Sequence, residues 1–185
     1  MIPSYDEAWR IIEACRMPDH VLRHSLMVRR VALVIGSRLN TSGHEIDLYL
    51  VDRASLLHDI CKMECIGTIK DHALIAKELL CAEGFYRVGE VVAQHVRLDS
   101  YDLDEAMVVN YADKRVMHDR VVSLTRRFLD LMDRYGTDDS RRERILMHHQ
   151  TCLHIEEIIA KNCNGDLEGL ETLNLIPCDQ PFYGR

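Results

Sequence analysis

The chain has 185 residues, of which 47% are apolar and 29% charged, so its composition excludes a mainly disordered protein and allows one domain with a sizeable core. Its 23 basic and 30 acidic residues give a net charge of −7, which offers no broad electrostatic reason for nucleic-acid binding. No apolar stretch approaches the roughly 18 residues of a membrane span, and the amino terminus lacks the basic and then apolar order of a signal peptide. We therefore expect a cytoplasmic protein.

Apolar residues recur at helical spacing along most of the chain, beginning behind Ser4 and Glu7, which have the form of a capping box. The spacing predicts helices over about 5–16, 21–39, 45–61, 71–81, 88–96, 104–117, 124–135 and 138–161. Alternating runs of β-branched residues, which would predict strands, do not occur. We expect an all-α fold with a single domain over 1–162, and a loosely ordered tail or partner-contacting extension over 163–185.

The seven cysteines are scattered without the spacing of a disulfide framework. Cys61 and Cys65 lie close together, but a structural zinc site needs four ligands and no second pair stands at a suitable spacing. We expect reduced thiols and no structural disulfide.

An adjacent imidazole and carboxylate, His58-Asp59 in ASLLHDICK, interrupt a helix that is otherwise mostly apolar. Burying a carboxylate without a partner is costly, so this pair must be hydrogen-bonded, ion-paired or bound to a metal. His24 lies in a similar apolar setting on the preceding helix, and further candidates are His72, His95 and Asp113 on later helices. Imidazole and carboxylate together suit divalent first-row metals, and six such groups are enough to hold two ions.

Taken singly, each histidine is more often a satisfied core or surface residue than a ligand. Asp113 in NYADKR can also be read as part of a solvated charge run, although the apolar Val108 and Val109 before it favour an inward carboxylate. Spacing alone does not bring the six groups together.

The order His24, then His58-Asp59 in LLHDICK, then Asp113 in NYADKR resembles the signature of the HD-domain phosphohydrolases. The resemblance spans about residues 18–122 and implies a helical bundle of the HD type. It also implies that His24, His58, Asp59 and Asp113 bind one divalent metal ion.

Members of that superfamily with two further histidines often bind a second ion, and His72 and His95 occupy the corresponding positions here, with Asp59 implied as the bridging ligand. This pattern is similar to that of the bacterial diadenosine tetraphosphate hydrolases and the HD-GYP phosphodiesterases. Cys61 stands where the commonest form has glycine, and no Gly-Tyr-Pro element follows His95, which disfavours cyclic-di-GMP as the substrate. Iron or manganese is favoured as the metal, with nickel, zinc or magnesium left open.

The function expected from these residues is hydrolysis of a phosphate ester or anhydride in a nucleotide-like small molecule by a metal-activated water. Asp59 would bind metal and orient the water, while Lys62 would offer a cation to the phosphate. Arg97 is a further candidate for phosphate binding, although a surface role is favoured for it, and Lys62 can equally be read as a solvated cation. The alternative function is a non-catalytic regulatory module that binds a metal or a nucleotide.

Several features remain open at this point. The substrate can be a dinucleoside polyphosphate, a nucleoside monophosphate or a non-nucleotide phosphate, and a homodimer is neither required nor excluded. His20, one turn before His24, is expected at the surface rather than beside the site. His148, His149 and His154 on the last helix are expected to face solvent or a partner subunit.

Overall fold

The computed structural model describes residues 1–163, 167 and 169–175. Within these ranges the chain forms nine α-helices, one short hairpin and one 3₁₀ helix. The helices are α1 (Tyr5–Ala14), α2 (Asp19–Thr41), α3 (Leu48–Leu57), α4 (Lys62–Cys65), α5 (His72–Ala82), α6 (Tyr86–Ala93), α7 (Glu105–Lys114), α8 (Leu124–Tyr135) and α9 (Asp139–Asn162). Strands β1 (Val116–Met117) and β2 (Arg120–Val121) form the antiparallel hairpin, and the 3₁₀ helix covers Leu170–Leu175. The described residues thus form the mostly helical bundle that the sequence predicts.

The long helix α2 lies at the centre of the bundle, where it packs against α3 and α7. It buries one broad face along its whole length because its apolar residues recur every three or four positions. Helix α5 pairs with α6, which packs on α3 and α7, and α8 pairs with α9. This packing brings α2, α3, α5, α6 and α7 together around one point, which is where the candidate ligands lie.

Two predicted helices are shorter in the structure. Helix α3 begins at Leu48 rather than near residue 45 because the Asp47 side chain caps it, accepting hydrogen bonds from the backbone N–H groups of Tyr49 and Leu50. It ends at Leu57, so His58 and Asp59 lie in the turn that follows it. Helix α7 ends at Lys114 rather than near residue 117, since Arg115 caps it and Val116 and Met117 form strand β1.

The 3₁₀ helix packs on the hairpin, and this differs from the expectation of a loose tail. Leu170 and Leu173 are buried in the core, and the Arg115 guanidinium donates to Glu171 at 2.7 Å. Asn174 pairs with both backbone groups of Val121, at 2.8 Å to the N–H and 2.9 Å to the carbonyl. The domain boundary near residue 162 stays a prediction, and residues 164–166, 168 and 176–185 of the expected tail lie outside the described residues.

Among the described residues, Cys15, Cys61, Cys65, Cys81 and Cys152 are free thiols, and Cys178 lies outside the described residues. Over the same part of the chain, no helix combines the length and the apolar character needed to cross a membrane.

Candidate metal centre

The structure brings all six expected ligands into one cluster, although they come from five separate parts of the chain. The imidazole rings form a row in which His24 and His58 are 5.5 Å apart, His58 and His95 are 4.9 Å apart, and His95 and His72 are 4.9 Å apart, centroid to centroid. His72 is the first residue of α5, and His95 follows the end of α6. The side chains of this cluster are largely buried, with the carboxylates of Asp59 and Asp113 among the rings.

One end of the row contains His24, His58 and Asp113. Asp113 Oδ1 lies 2.9 Å from His24 Nε2 and 3.6 Å from His58 Nε2. Asp59 Oδ2 faces the same end, 3.4 Å from His58 Nε2 and 3.9 Å from His24 Nε2. His24, His58 and Asp113 therefore form one group that is close enough to hold a metal ion, and Asp59 reaches both of these histidines.

The other end of the row contains His72 and His95. Asp59 turns its second oxygen, Oδ1, toward this end, at 3.3 Å from His72 Nε2 and 3.6 Å from His95 Nε2. The two histidine nitrogens are 3.0 Å apart. The Asp59 carboxylate thus stands between the two halves of the cluster, with one oxygen toward each.

Backbone carbonyls orient three of the four imidazoles. The Nδ1 atoms of His58 and His95 each lie 2.7 Å from the carbonyl oxygen three residues earlier, and His24 Nδ1 lies 2.7 Å from the carbonyl oxygen of His118 at the tip of the hairpin. A carbonyl only accepts, so Nδ1 carries a hydrogen in each of these three rings. The three Nε2 atoms are then directed into the cluster, and Nε2 is the atom that each ring would offer to a metal ion.

Two buried atoms in the cluster lack hydrogen-bond partners, namely His58 Nε2 and Asp59 Oδ1. Burial acts to lower the pKa of His58, but the Asp59 charge and contacts with both carboxylates outweigh it and raise the pKa to about 9. Burial likewise acts to raise the pKa of Asp59, yet the histidines around it hold that pKa well below its usual range. His58 Nε2 therefore holds a proton at neutral pH that a bound metal ion would displace, and the buried carboxylates and imidazoles form a donor set that a divalent cation fits.

Lys62 places its ammonium group at the edge of the cluster. Its Nζ donates to Asp59 Oδ2 at 2.6 Å, and 42% of its side chain is exposed. Burial acts to lower the pKa of Lys62, but the charges of Asp59 and Asp113 raise it. A permanent cation therefore stands between the carboxylate and the solvent.

The cluster opens into a cleft with two lobes. The larger lobe, about 510 Å³, lies beside His24 and His118, and the smaller lobe, about 300 Å³, lies beside His72 and His95. Both lobes are lined by the same five residues, namely Asp59, Lys62, Arg127, Leu131 and Tyr135. Each half of the ligand cluster thus has its own access to a shared opening.

Arg97 does not belong to this cleft. It is exposed and lines a separate cavity of about 600 Å³, next to the loop over 98–101. Neither lobe includes Arg97 among its lining residues, and the smaller lobe follows this segment only as far as Val96. The prediction that Arg97 contacts substrate phosphate at this centre is not supported by its position.

The outlying histidines are placed partly as expected. His20 is exposed at the rim of the larger lobe, and His154 lies at the surface. The expectation for His148 is wrong, because its ring packs 5.3 Å from Phe128 and lines the smaller lobe. His149 also stacks on Phe128, at 4.6 Å.

Sequence reasoning missed three cationic or backbone contributions to this centre. Lys114 donates to the carbonyl oxygen of His95 at 3.1 Å and to the Asp113 carboxylate, so it ties two candidate ligands together. Arg127 lines both lobes, and the backbone of His118 orients His24. Only Lys114 had a signal in the sequence, as the neighbour of Asp113.

Comparison with known families gives one match: residues 21–138, well over half of the chain, match the HD domain. Comparison with curated proteins and with solved structures gave no match. The matched range contains all six residues of the cluster, including the two buried groups in which His58 is joined by His24 and Asp113 or by Asp59 and His95. The chain therefore belongs to the HD-domain family, whose members are typically metal-dependent phosphohydrolases.

Proposed function

We propose that this protein hydrolyses a phosphate ester or anhydride of a nucleotide-like small molecule, using a water molecule activated by bound metal. The observation that carries the proposal is the buried cluster in which His58 Nε2 and Asp59 Oδ1 have no partner. Divalent ions held there would supply hydroxide near neutral pH and would polarise a phosphoryl oxygen.

The division of the cluster by Asp59 supports two ions. His24, His58 and Asp113 would hold the first ion together with Asp59 Oδ2, and His72 and His95 would hold the second with Asp59 Oδ1. Four imidazoles with two carboxylates suit iron or manganese, although nickel, zinc and magnesium are also compatible with parts of the set.

Lys62 would act on the substrate rather than on the metal. Its ammonium group is partly exposed in the opening shared by both lobes, and its pKa is raised, so it is charged at neutral pH. It would place positive charge beside the phosphoryl oxygens, while Asp59 orients the attacking water.

The alternative is a regulatory module that binds a metal or a nucleotide without hydrolysing it. Such a module has no need to keep every metal ligand and a cation at the opening. Here five of the six candidate ligands fall into two compact buried groups, His72 Nε2 lies 3.3 Å from Asp59 Oδ1, and Lys62 points its ammonium at Asp59. Hydrolysis is the function that this complete set supports.

The test combines elemental analysis with a substrate screen on protein purified without chelator and loaded with iron or manganese. The screen covers a dinucleoside polyphosphate, a nucleoside monophosphate and a non-nucleotide phosphate ester. Asp59→Asn should lose metal and at least about 100-fold in activity while keeping its helical circular dichroism. Asp133→Asn removes the same charge from an exposed site on α8 and should behave as wild type. A metal-loaded protein that cleaves none of the three classes would support the regulatory alternative.

A further inference from the structure

Helix α8 contributes one continuous wall to the cleft. The sequence predicts no site residue on this helix. Arg127, Leu131 and Tyr135 are spaced four residues apart, so they lie along one face of the helix. Each of the three lines both the larger and the smaller lobe. Whatever occupies the opening in front of the metal ligands must therefore pass along this face.

Arg127 is the least neutralised of the cations at this opening. Its Nη1 lies 3.4 Å from Asp130 Oδ2, and its buried Nε has no hydrogen-bond partner. The other cations that line the lobes are closely paired with carboxylates, namely Lys62 with Asp59, Arg134 with the same Asp130, Lys114 with Asp113 and Arg23 with Asp19. The Arg127 guanidinium therefore has donors left for an incoming oxyanion.

The guanidinium group lies between the two halves of the cleft. It lines the larger lobe together with Lys62 and the smaller lobe together with Lys62 and His148. Only 15% of the Arg127 side chain is exposed, so solvent screens its charge less than that of a surface arginine. A planar donor in this position suits the paired oxygens of a phosphate group.

We propose that Arg127 binds substrate phosphate in the cleft and that Leu131 and Tyr135 contact the organic group attached to that phosphate. The proposal rests on the proposed function and narrows its substrate to a phosphate joined to an apolar or aromatic group, such as a nucleoside. Tyr135 is 54% exposed, and its ring, which lies 5.5 Å from the Arg134 guanidinium, is the aromatic surface on which a base would stack.

The first experiment measures binding of inorganic phosphate to the metal-loaded protein by calorimetry. Arg127→Gln should weaken binding about 10- to 100-fold, and Arg127→Lys should restore part of it because the charge returns without the planar pair of donors. Arg126→Gln removes the same charge from the neighbouring exposed position and should bind phosphate as wild type does. Metal content should be equal in all four proteins.

Equal phosphate binding in Arg127→Gln and Arg126→Gln would overturn the assignment, as would a loss of metal in both Arg127 variants. Calorimetry measures phosphate binding directly and does not depend on hydrolysis of a substrate. If the wild type binds phosphate through Arg127 but hydrolyses no phosphate compound, the proposed hydrolase function fails and the binding residue stands. If the wild type hydrolyses substrate but Arg127→Gln binds phosphate normally, only the present proposal fails.

The second experiment tests the apolar part of the wall with adenosine monophosphate as the probe. Tyr135→Ala should weaken binding of this nucleotide about 10-fold and leave binding of inorganic phosphate unchanged. Tyr101→Ala is the matched control, because Tyr101 is also 54% exposed but lines the separate cavity beside Arg97. Unchanged nucleotide affinity in Tyr135→Ala would overturn this part of the proposal.

Discussion

His24 Nδ1 donates to the backbone carbonyl of His118, 2.7 Å away and 94 positions later in the chain. His118 has a φ of +57° at this position, which is a left-handed backbone conformation that residues other than glycine rarely adopt. The turn between β1 and β2 is therefore held in an unfavourable backbone conformation at the point where it orients a candidate metal ligand.

Substitutions at His118 should distinguish the contribution of its backbone from that of its side chain. We expect His118→Gly to keep metal affinity and to raise the free energy of unfolding by up to about 1 kcal/mol, because glycine adopts this φ freely. His118→Val should lower that free energy by about 1 to 2 kcal/mol and weaken metal binding, since a β-branched residue shifts the carbonyl. Urea unfolding and metal titration check both. Equal metal affinity in the two variants would show that the carbonyl does not orient His24.

The number of bound ions should respond to the second half of the cluster. Replacing either His72 or His95 with alanine should remove about one ion per chain and leave the other, because His24, His58, Asp59 and Asp113 form a complete first set. Elemental analysis of fully loaded protein measures this, with exposed His154→Ala as the control. Unchanged stoichiometry in both variants would argue for one ion and would move the expected substrate toward nucleoside monophosphates.

Lys62 should contribute to the hydrolysis of substrate and not to metal binding. Lys62→Ala is expected to retain bound metal and to lose about 100-fold in kcat/KM, because a charge beside the phosphoryl oxygens is removed. Lys77→Ala breaks a comparable lysine pair with Glu90 outside both lobes and should leave activity unchanged. A loss of metal in Lys62→Ala equal to that in Asp59→Asn would contradict the separate roles.

His148 should make the metal-free protein sensitive to acid. Burial, together with the charges of Lys114 and Arg127, lowers the pKa of His148 from 6.5 to about 4. Between these values the unfolded chain binds a proton that the folded chain does not, so this contribution to stability is present above pH 6.5 and is lost as the pH falls toward 4. From pH 7.5 to pH 4.5, wild type should lose about 2 kcal/mol more unfolding free energy than His148→Gln.

Urea unfolding at both pH values measures the difference, and His154→Gln serves as the exposed control on the same helix. If wild type and His148→Gln lose the same free energy, then the His148 imidazole is not kept neutral by its surroundings.

The burial of His58 and Asp59 can be predicted from the sequence because its signal is local. His58 and Asp59 are adjacent, and an apolar helix leads into them, so their burial follows from the pattern around them. The bounds of α7 are less predictable. Val116 and Met117 continue the apolar spacing of the helix, and only the pairing of these residues with β2 shows that the helix has already ended.

Arg127 and His118 could not be predicted, each for a physical reason. Arg127 is one of 23 basic residues, and what distinguishes it is the packing of α8 across the cleft, which depends on the whole fold. His118 acts through a carbonyl oxygen that every residue possesses, so its identity carries no signal. The position of His148 could not be predicted for a similar reason. Which side of α9 faces the cleft depends on the contact of α9 with α8.

The pairing of Asn174 with Val121 bears on how the protein is made. Asn174 holds both backbone groups of Val121 from 53 positions further along, and Val121 pairs with Val116 in the hairpin whose turn orients His24. Translation proceeds from the amino terminus, so every candidate ligand has been synthesised once residue 113 is added. A nascent chain thus carries the full ligand set well before it carries the residue that secures the hairpin. A metal ion arriving in that interval would meet a His24 whose ring is not yet held in place.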